Sequence, residues 1–314
     1  MGQWTAADIP DQSGRTVVVT GANSGLGLRS AEALAAAGAR VLMACRNEAK
    51  AATALESVKA KATGPAPEVV KLDLSSLASI SDSAARIDGD VEQLDVLLNN
   101  AGVMAVPKGR TADGFEMQFG TNHLGHYALT GGLLAALLRA PAPRVVSVSS
   151  NAHKFGSMHF DDLNWENHRY SRWGAYGQSK LSNLLFTSEL QRRAVAAGTP
   201  LSALAAHPGY ASTNLTSGPA TGNSFMRFAT SLSDRLIGQS DEMGALPQLY
   251  AATMPDATAN DYWGPDGFQE QRGYPKRCGR TKAAQDAAAA ERLWKASEEL
   301  TGVTYAWPAS TPPG

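Results

Sequence analysis

Short apolar or β-branched runs alternate with longer stretches of helical periodicity through the first two thirds of the chain. This is the pattern of βαβ units, and it predicts an α/β fold: a doubly wound parallel sheet with helices on both faces. The runs predict strands over Arg15–Thr20, Arg40–Ala44, Glu68–Lys71, Val96–Asn99, Arg144–Ser149 and Leu201–Ala206. Helical spacing predicts helices over Gly25–Ala37, Asn47–Ala60, Ser76–Asp88, Phe115–Arg139 and Trp173–Ala197. Gly38 follows the first helix where a left-handed C-cap suits it. After Pro208 the pattern changes. Gly, Ser, Thr, Asn and Pro crowd 209–223, Phe225, Met226, Phe228, Leu232, Leu236 and Ile237 recur at helical spacing, and Tyr262–Gly279 is rich in aromatics and glycine. Residues 209–279 are expected to form a pocket wall and lid, or equally an amphipathic helix packed on the body without touching ligand. A last helix is expected over Thr281–Leu300, and 306–314, with three prolines, as a frayed tail. No repeat or interdomain linker appears, so 1–314 reads as one domain whose body is 14–208.

Where the first strand ends, Val17-Val18-Val19 runs into Thr20-Gly21-Ala22-Asn23-Ser24-Gly25-Leu26-Gly27 and then into an Ala/Leu-rich helix. A helix start offers unpaired backbone N–H groups and the positive end of its dipole, so it holds a pyrophosphate without a basic side chain. The glycine spacing differs from the common G-x-G-x-x-G fingerprint, and Ser30 stands where that fingerprint has Gly or Ala.

Tyr176 and Lys180 stand four apart in a helical segment and so share a face. A phenol with a pKa of about 10 is a poor proton shuttle at neutral pH, and a neighbouring ammonium favours its ionised form. The strand Val145–Ser149 runs into Ser150, and Asn99-Asn100-Ala101-Gly102 ends another strand; the carboxyl ends of strands face the ligand crevice in an open parallel sheet. Ser150 is therefore a candidate to bond a substrate oxygen. Asn122, inside a helical segment, is expected to bond backbone or an ordered water.

Composition narrows the class. With 43% hydrophobic and 18% charged residues and a formal net charge of −1, the chain has no general attraction to nucleic acid or anionic membranes. Cys45 and Cys278 are the two cysteines, which suits a reducing cytosol, and no window approaches eighteen apolar residues. A cytoplasmic enzyme without a membrane anchor is expected. No metal site is indicated, because the six histidines share no ligand spacing with the cysteines; His123 and His126 read as helix-surface or supporting groups.

Together these residues resemble the classical short-chain dehydrogenase/reductase family over about Gly14–Thr213: T-G-x-x-x-G-x-G at Thr20–Gly27, N-N-A-G at Asn99–Gly102, the helical Asn122, Ser150, Y-x-x-x-K at Tyr176 and Lys180, and Pro208-Gly209. The resemblance implies a single Rossmann-type domain, a nicotinamide cofactor and reversible alcohol/carbonyl interconversion. It makes Tyr176 the general acid/base and has Lys180 hold the nicotinamide ribose and depress the phenol. Ser150 would orient the carbonyl, and Asn122 would anchor a relay water. It places the cofactor against Gly21, Asn23, Ser24, Gly25, Leu26 and Gly27, then against Asp73, Leu74, Asn99, Ala101 and Gly102, and finally against Tyr176, Lys180, Pro208, Gly209 and Thr213. Ser150 precedes Tyr176 by 26 residues, about twice the usual family distance, because 151–173 holds an insertion. With Ala44-Cys45-Arg46-Asn47 and His207-Pro208-Gly209, that layout is similar to the retinol dehydrogenase branch and its bacterial and WW-domain-containing oxidoreductase relatives, which implies apolar alcohols or aldehydes as substrates. A homodimer or homotetramer is the family expectation. C=C bond reduction on the same fold and a catalytically silent dinucleotide-binding regulator are the alternatives.

Cofactor choice has a physical signal of its own. An adenosine 2′-phosphate needs a cation at the end of the second strand where a bare ribose needs an acid. Arg46 stands there, nineteen residues past Gly27, which predicts NADP(H). Glu48 nearby reads as a first-turn helix acid. Asp73 has a competing role as a turn or cap before Ser75-Ser76.

Overall fold

The computed structural model describes residues 3–210 and 239–308. Eight strands form one sheet in the order β3-β2-β1-β4-β5-β6-β7-β8. The first six are β1 Thr16–Thr20, β2 Arg40–Cys45, β3 Glu68–Lys71, β4 Val96–Asn99, β5 Arg144–Val148 and β6 Ser202–Ala206, within two residues of the sequence expectation at every end. Their pairings are all parallel, and the reversal of strand order beside β1 opens the crevice of a doubly wound fold.

Alternation along the strands feeds two cores. Val18, Leu42 and Leu97 face one layer, while Val17, Val19, Val41 and Met43 face the other. On the second face lie α1 Gly25–Ala36 and α2 Glu48–Lys59, which supply Leu34 and Val58, and α8 Asp241–Thr253, which supplies Leu249. The first face is covered by α3 Leu77–Asp90, α5 Gly125–Gly132, α7 Arg172–Ala196 and α9 Ala287–Thr301. There Tyr127, Phe186, Trp294 and Tyr305 form an aromatic cluster, with ring centroids of Tyr127 and Trp294 5.1 Å apart.

Three expectations are corrected. The helix expected over Phe115–Arg139 is broken into α4 Met117–Phe119, a π turn over Gly120–Leu124, α5, and α6 Leu134–Arg139. At Gly125, which ends the π turn, a Cβ would sit 2.4 Å from the Leu74 carbonyl oxygen, so bare backbone lies against the cofactor-side loop there. The stretch Tyr262–Gly279, where no strand is expected, extends the sheet through β7 Tyr262–Pro265, parallel to β6, and an antiparallel β8 Pro275–Arg277. Four residues ending Gly-Pro carry no alternation to read, yet Gly264 is required because a Cβ there would strike the His207 ring. The last helix starts later than expected: Ala283–Gln285 is a separate 3₁₀ turn, and Asp286 caps α9 by accepting Ala289 N–H at 3.0 Å.

Trp307 stacks on Tyr305, so the first residues of the expected tail are docked. Thr213 and the apolar positions 225–237 lie outside the described residues. Among the described residues no helix is long and apolar enough to cross a membrane. Tyr305 carries the C-terminal segment into the core and donates its hydroxyl to Tyr127 O at 2.8 Å. Tyr305→Ala is expected to cost about 3–5 kcal/mol in urea unfolding, as truncation of a buried aromatic does.

Candidate active site

A cleft of about 340 Å³ opens at the carboxyl ends of β1, β2 and β4 and is lined by the glycine turn Gly21–Gly27, Arg46, Asp73, Leu74 and Ala101–Val103. Gly21 and Gly25 have φ of +69° and +55°, which side-chain-bearing residues rarely adopt. A Cβ on Gly27 would lie 2.4 Å from Gly21 O and 2.6 Å from Asn100 Nδ2, so only glycine lets α1 begin this close to β4. Ser24, the N-cap of α1, makes no capping bond, which leaves the first N–H groups of the helix facing the cleft.

Of the residues nominated for the cofactor, Gly21, Asn23, Ser24, Gly25, Leu26, Gly27, Arg46, Asp73, Leu74, Ala101 and Gly102 line this cleft. Asn99 does not: it is 1% exposed and donates to Thr130 Oγ1 at 3.0 Å on α5. Period-two geometry turns the next residue outward, and Asn100 takes that place, with Nδ2 on Thr20 O at 2.8 Å. Pro208 and Gly209 lie outside this lining, at the end of β6 against the loop after β7; a Cβ on Gly209 would sit 2.4 Å from Gln271 O. Asp73 Oδ1 takes the competing role, accepting Ser75 N–H at 2.9 Å and Ser75 Oγ–H at 2.6 Å, while the residue still borders the cleft.

Arg46 and Lys50 are both exposed on the cleft. Lys50 was missed in the sequence because its relevance depends on Asn47 capping α2 through Lys50 N–H at 2.9 Å, which folds that turn back over the cleft. Glu48 is turned onto Lys71 at 2.8 Å and does not line the cleft.

The four nominated catalytic residues meet at the inner end of the cleft. Lys180, 4% exposed, donates from Nζ to Val148 O at 3.0 Å, and burial lowers it to about 8. Tyr176, on the same face of α7 with its ring 5.7 Å from that ammonium, is raised to about 12 by burial, partly offset by its hydrogen bond with Ser150. Ser150 caps the short turn after β5, accepting Ala152 N–H at 3.2 Å. Asn122 bonds backbone: Oδ1 accepts Val103 N–H at 2.8 Å, and Nδ2 donates to Val103 O and to Ser179 Oγ, both at 2.9 Å. A Cβ on Gly102 would lie 3.0 Å from Asn122 Oδ1 and 3.6 Å from Lys180 Nζ, so the cleft runs directly to the tetrad.

The insertion before Tyr176 is an ordered wall. Asp162 gathers the N–H groups of Glu166, Asn167 and His168, and Gln178 of α7 donates to Leu163 O at 3.0 Å. His123 and His126, expected at a helix surface or in support, are 1% and 2% exposed; the glycine-rich segment they sit on is buried on all sides, so no face is left for solvent. Strand pairing also gathers His207, Glu270 and Cys278, with ligand atoms within 4.8 Å, which their sequence spacing does not suggest. His207 Nδ1 accepts Gly209 N–H at 3.3 Å, so the neutral ring carries its proton on Nε2, towards a Glu270 that is already paired with Lys154 at 3.0 Å. His207 Nε2 lies 3.6 Å from Glu270 Oε2, without a hydrogen bond between them, and packs against Gly264.

The short chain dehydrogenase family model matches residues 15–222. This chain belongs to the short-chain dehydrogenase family. Within the family it is related to the retinol dehydrogenases: it is 40% identical to human Retinol dehydrogenase 13 over 302 residues, covering 95% of this chain and 86% of that one. It is also 40% identical to mouse Retinol dehydrogenase 12 over 306 residues, with 96% and 90% covered. Among solved structures, an uncharacterized protein from Mycobacterium paratuberculosis superposes with a TM-score of 0.80 at 46% identity over 97% of this chain and all of that one. A short chain dehydrogenase of Shigella flexneri 2a, solved with NADP, shares the fold at 23% identity with a TM-score of 0.62, over 81% of this chain and 97% of that one.

Gly27→Ala is expected to weaken dinucleotide binding by at least about 10-fold in a fluorescence titration, because the added methyl meets backbone that cannot yield. Burial also lowers His123 to about 3, His126 to about 4 and His207 to about 3 from an ordinary value near 6.5. These rings stay neutral in the fold while the unfolded chain takes up protons below pH 6.5, so stability falls as pH drops from about 6.5 towards 4. Urea unfolding at pH 7 and pH 5 checks this, with a slope of at most about 4 kcal/mol per pH unit for three protons.

Proposed function

We propose that this short-chain dehydrogenase is an NADP(H)-dependent oxidoreductase that interconverts an alcohol and an aldehyde or ketone on a mostly apolar substrate. The observation that carries the reading is the continuity at Gly102, where the cleft ends against Lys180 and Asn122. A bound nicotinamide supplies the hydride acceptor or donor. The residues present fit such a cofactor: an uncapped helix start for the pyrophosphate, a Cβ-free approach at Gly21, Gly27 and Gly102, and Arg46 with Lys50 where a 2′-phosphate needs charge.

Ser150 and Tyr176 orient the carbonyl oxygen between two hydroxyls, and Tyr176 Oη gives its proton to that oxygen in reduction or takes it in oxidation. From about 12, ionisation at neutral pH takes about 7 kcal/mol of differential stabilisation. Lys180 is the built-in contributor, a cation buried beside the ring with Val148 O as its hydrogen-bond acceptor. The retinol dehydrogenase relatives and the apolar rim residues Phe155, at 58% exposure, and Trp173, at 55%, favour an apolar substrate.

Tyr176→Phe is expected to lower kcat by about 100-fold or more while leaving dinucleotide affinity within about threefold, since it deletes the proton-transferring atom alone. A broad panel of aldehydes and ketones assayed by NADPH absorbance tests this; Tyr176-independent turnover, or none on the whole panel, overturns the reading. For alcohol oxidation kcat/KM is expected to rise with pH as the phenol ionises, with a midpoint below 12. Thermal shift is expected to be larger with NADPH than with NADH, and Arg46→Ala to reduce the difference.

A further inference from the structure

We propose that His126 is a positioning residue that couples the floor of the dinucleotide cleft to Asn122 and, through Asn122, to the Tyr176–Lys180 helix. The proposal rests on the functional reading above and adds a residue that reading does not use.

His126 lies on α5, 2% exposed, with both ring nitrogens engaged. Nδ1 is 3.0 Å from Asn122 O. A backbone carbonyl has no proton to give, so Nδ1 carries the hydrogen and the neutral ring keeps its lone pair on Nε2. Thr20 Oγ1, 3.0 Å from Nε2, therefore donates to it. Leu98 O, at 3.3 Å, is the other acceptor within reach of that hydroxyl, but choosing it would leave Nε2 without a partner in a site closed to water. With its proton committed to His126, Thr20 Oγ1 accepts the N–H groups of Asn100 at 2.9 Å and Ala101 at 3.0 Å. Those two residues form the cleft floor beside Gly21.

At its other end the strut reaches catalysis. Asn122 sits in the π turn over Gly120–Leu124, and His126 Nδ1 holds its carbonyl. The Asn122 amide clamps Val103 and donates to Ser179 Oγ, which donates to Tyr176 O at 2.8 Å. Below the ring, Thr130 Oγ1 donates to His126 O at 2.7 Å and accepts from Asn99, so the end of β4 is bolted to the same turn of α5. One imidazole thus spans the end of β1 and the segment that braces the acid/base, and a shift at either end is carried to the other as a displacement of a reacting group.

The two halves are separable because an asparagine amide nitrogen overlays Nδ1 of histidine and has nothing at the Nε2 position. H126N keeps the bond to Asn122 and loses the one to Thr20; H126F keeps the ring volume and loses both. NADPH affinity, read from tryptophan fluorescence, is expected to weaken by about 5- to 10-fold in both variants, whereas kcat on the best carbonyl substrate falls by about 10- to 100-fold in H126F and stays within about threefold in H126N. Thr20→Val added to H126N is expected to cost less affinity than Thr20→Val alone, since one bond is removed only once.

A merely structural histidine would lower the melting temperature and leave Kd and kcat per folded molecule unchanged; that result overturns the proposal. So does an H126N kcat as low as that of H126F, or strict additivity with Thr20→Val. Should H126F not fold, H126N and the cycle decide. The NADPH arm needs no substrate, so a protein without turnover defeats the functional reading while unchanged affinity in H126N defeats this one.

Discussion

Backbone meets backbone where the turn after β1 passes the turn after β4, and the site depends on that approach. Gly27 lies so near Gly21 O and Asn100 Nδ2 that a single methyl would separate the two elements. Close packing of this kind has no slack, because interiors are filled to crystal density. Thr20 closes the gap from below by accepting two N–H groups of the β4 turn, and Asn100 closes it from above by donating to Thr20 O. The cleft is thus a product of two strand ends held in register, and its phosphate-facing surface is backbone, which needs no rotamer to be ordered before ligand arrives.

Burial sets the chemistry at the inner end of the same cleft. It raises Tyr176 and lowers Lys180, so each is moved towards its neutral form, and the pair becomes sensitive to any further charge brought alongside. An exposed pair at the same spacing would be screened and inert. The hydrogen bonds that hold the pair are to groups that do not titrate in the working range: Val148 O for the ammonium, and Asn122 and Ser179 for the helix. The groups that position the pair are therefore distinct from the two whose ionisation burial shifts.

The insertion and the sheet extension are each tied to neighbouring elements. Gln178 ties the insertion to α7, and the loop between β7 and β8 brings Glu270 against Asn151 and Gln271 against Gly209. The relatives named retinol dehydrogenase 13 and 12 align over 95% and 96% of this chain.

Local sequence alone determined the six parallel strands, the glycine turn, the Tyr176–Lys180 pair and the placement of Arg46, because each is written in a run of neighbouring residues: β-branched stretches, i,i+4 spacing, a strand end. Tertiary structure decided what no local window holds. Asn99 and Asn100 are adjacent and both amides, and only the direction of the β4 pleat sends the first into α5 and the second to the cleft. The helix around Asn122 reads as continuous, yet it holds a π turn that ends at Gly125, where the chain packs against the Leu74 backbone. His126 meets Thr20 on another element, Glu270 approaches His207 from the loop after β7, and Lys50 reaches the cleft through the turn at Asn47, so their roles arise from packing and leave no periodicity to find.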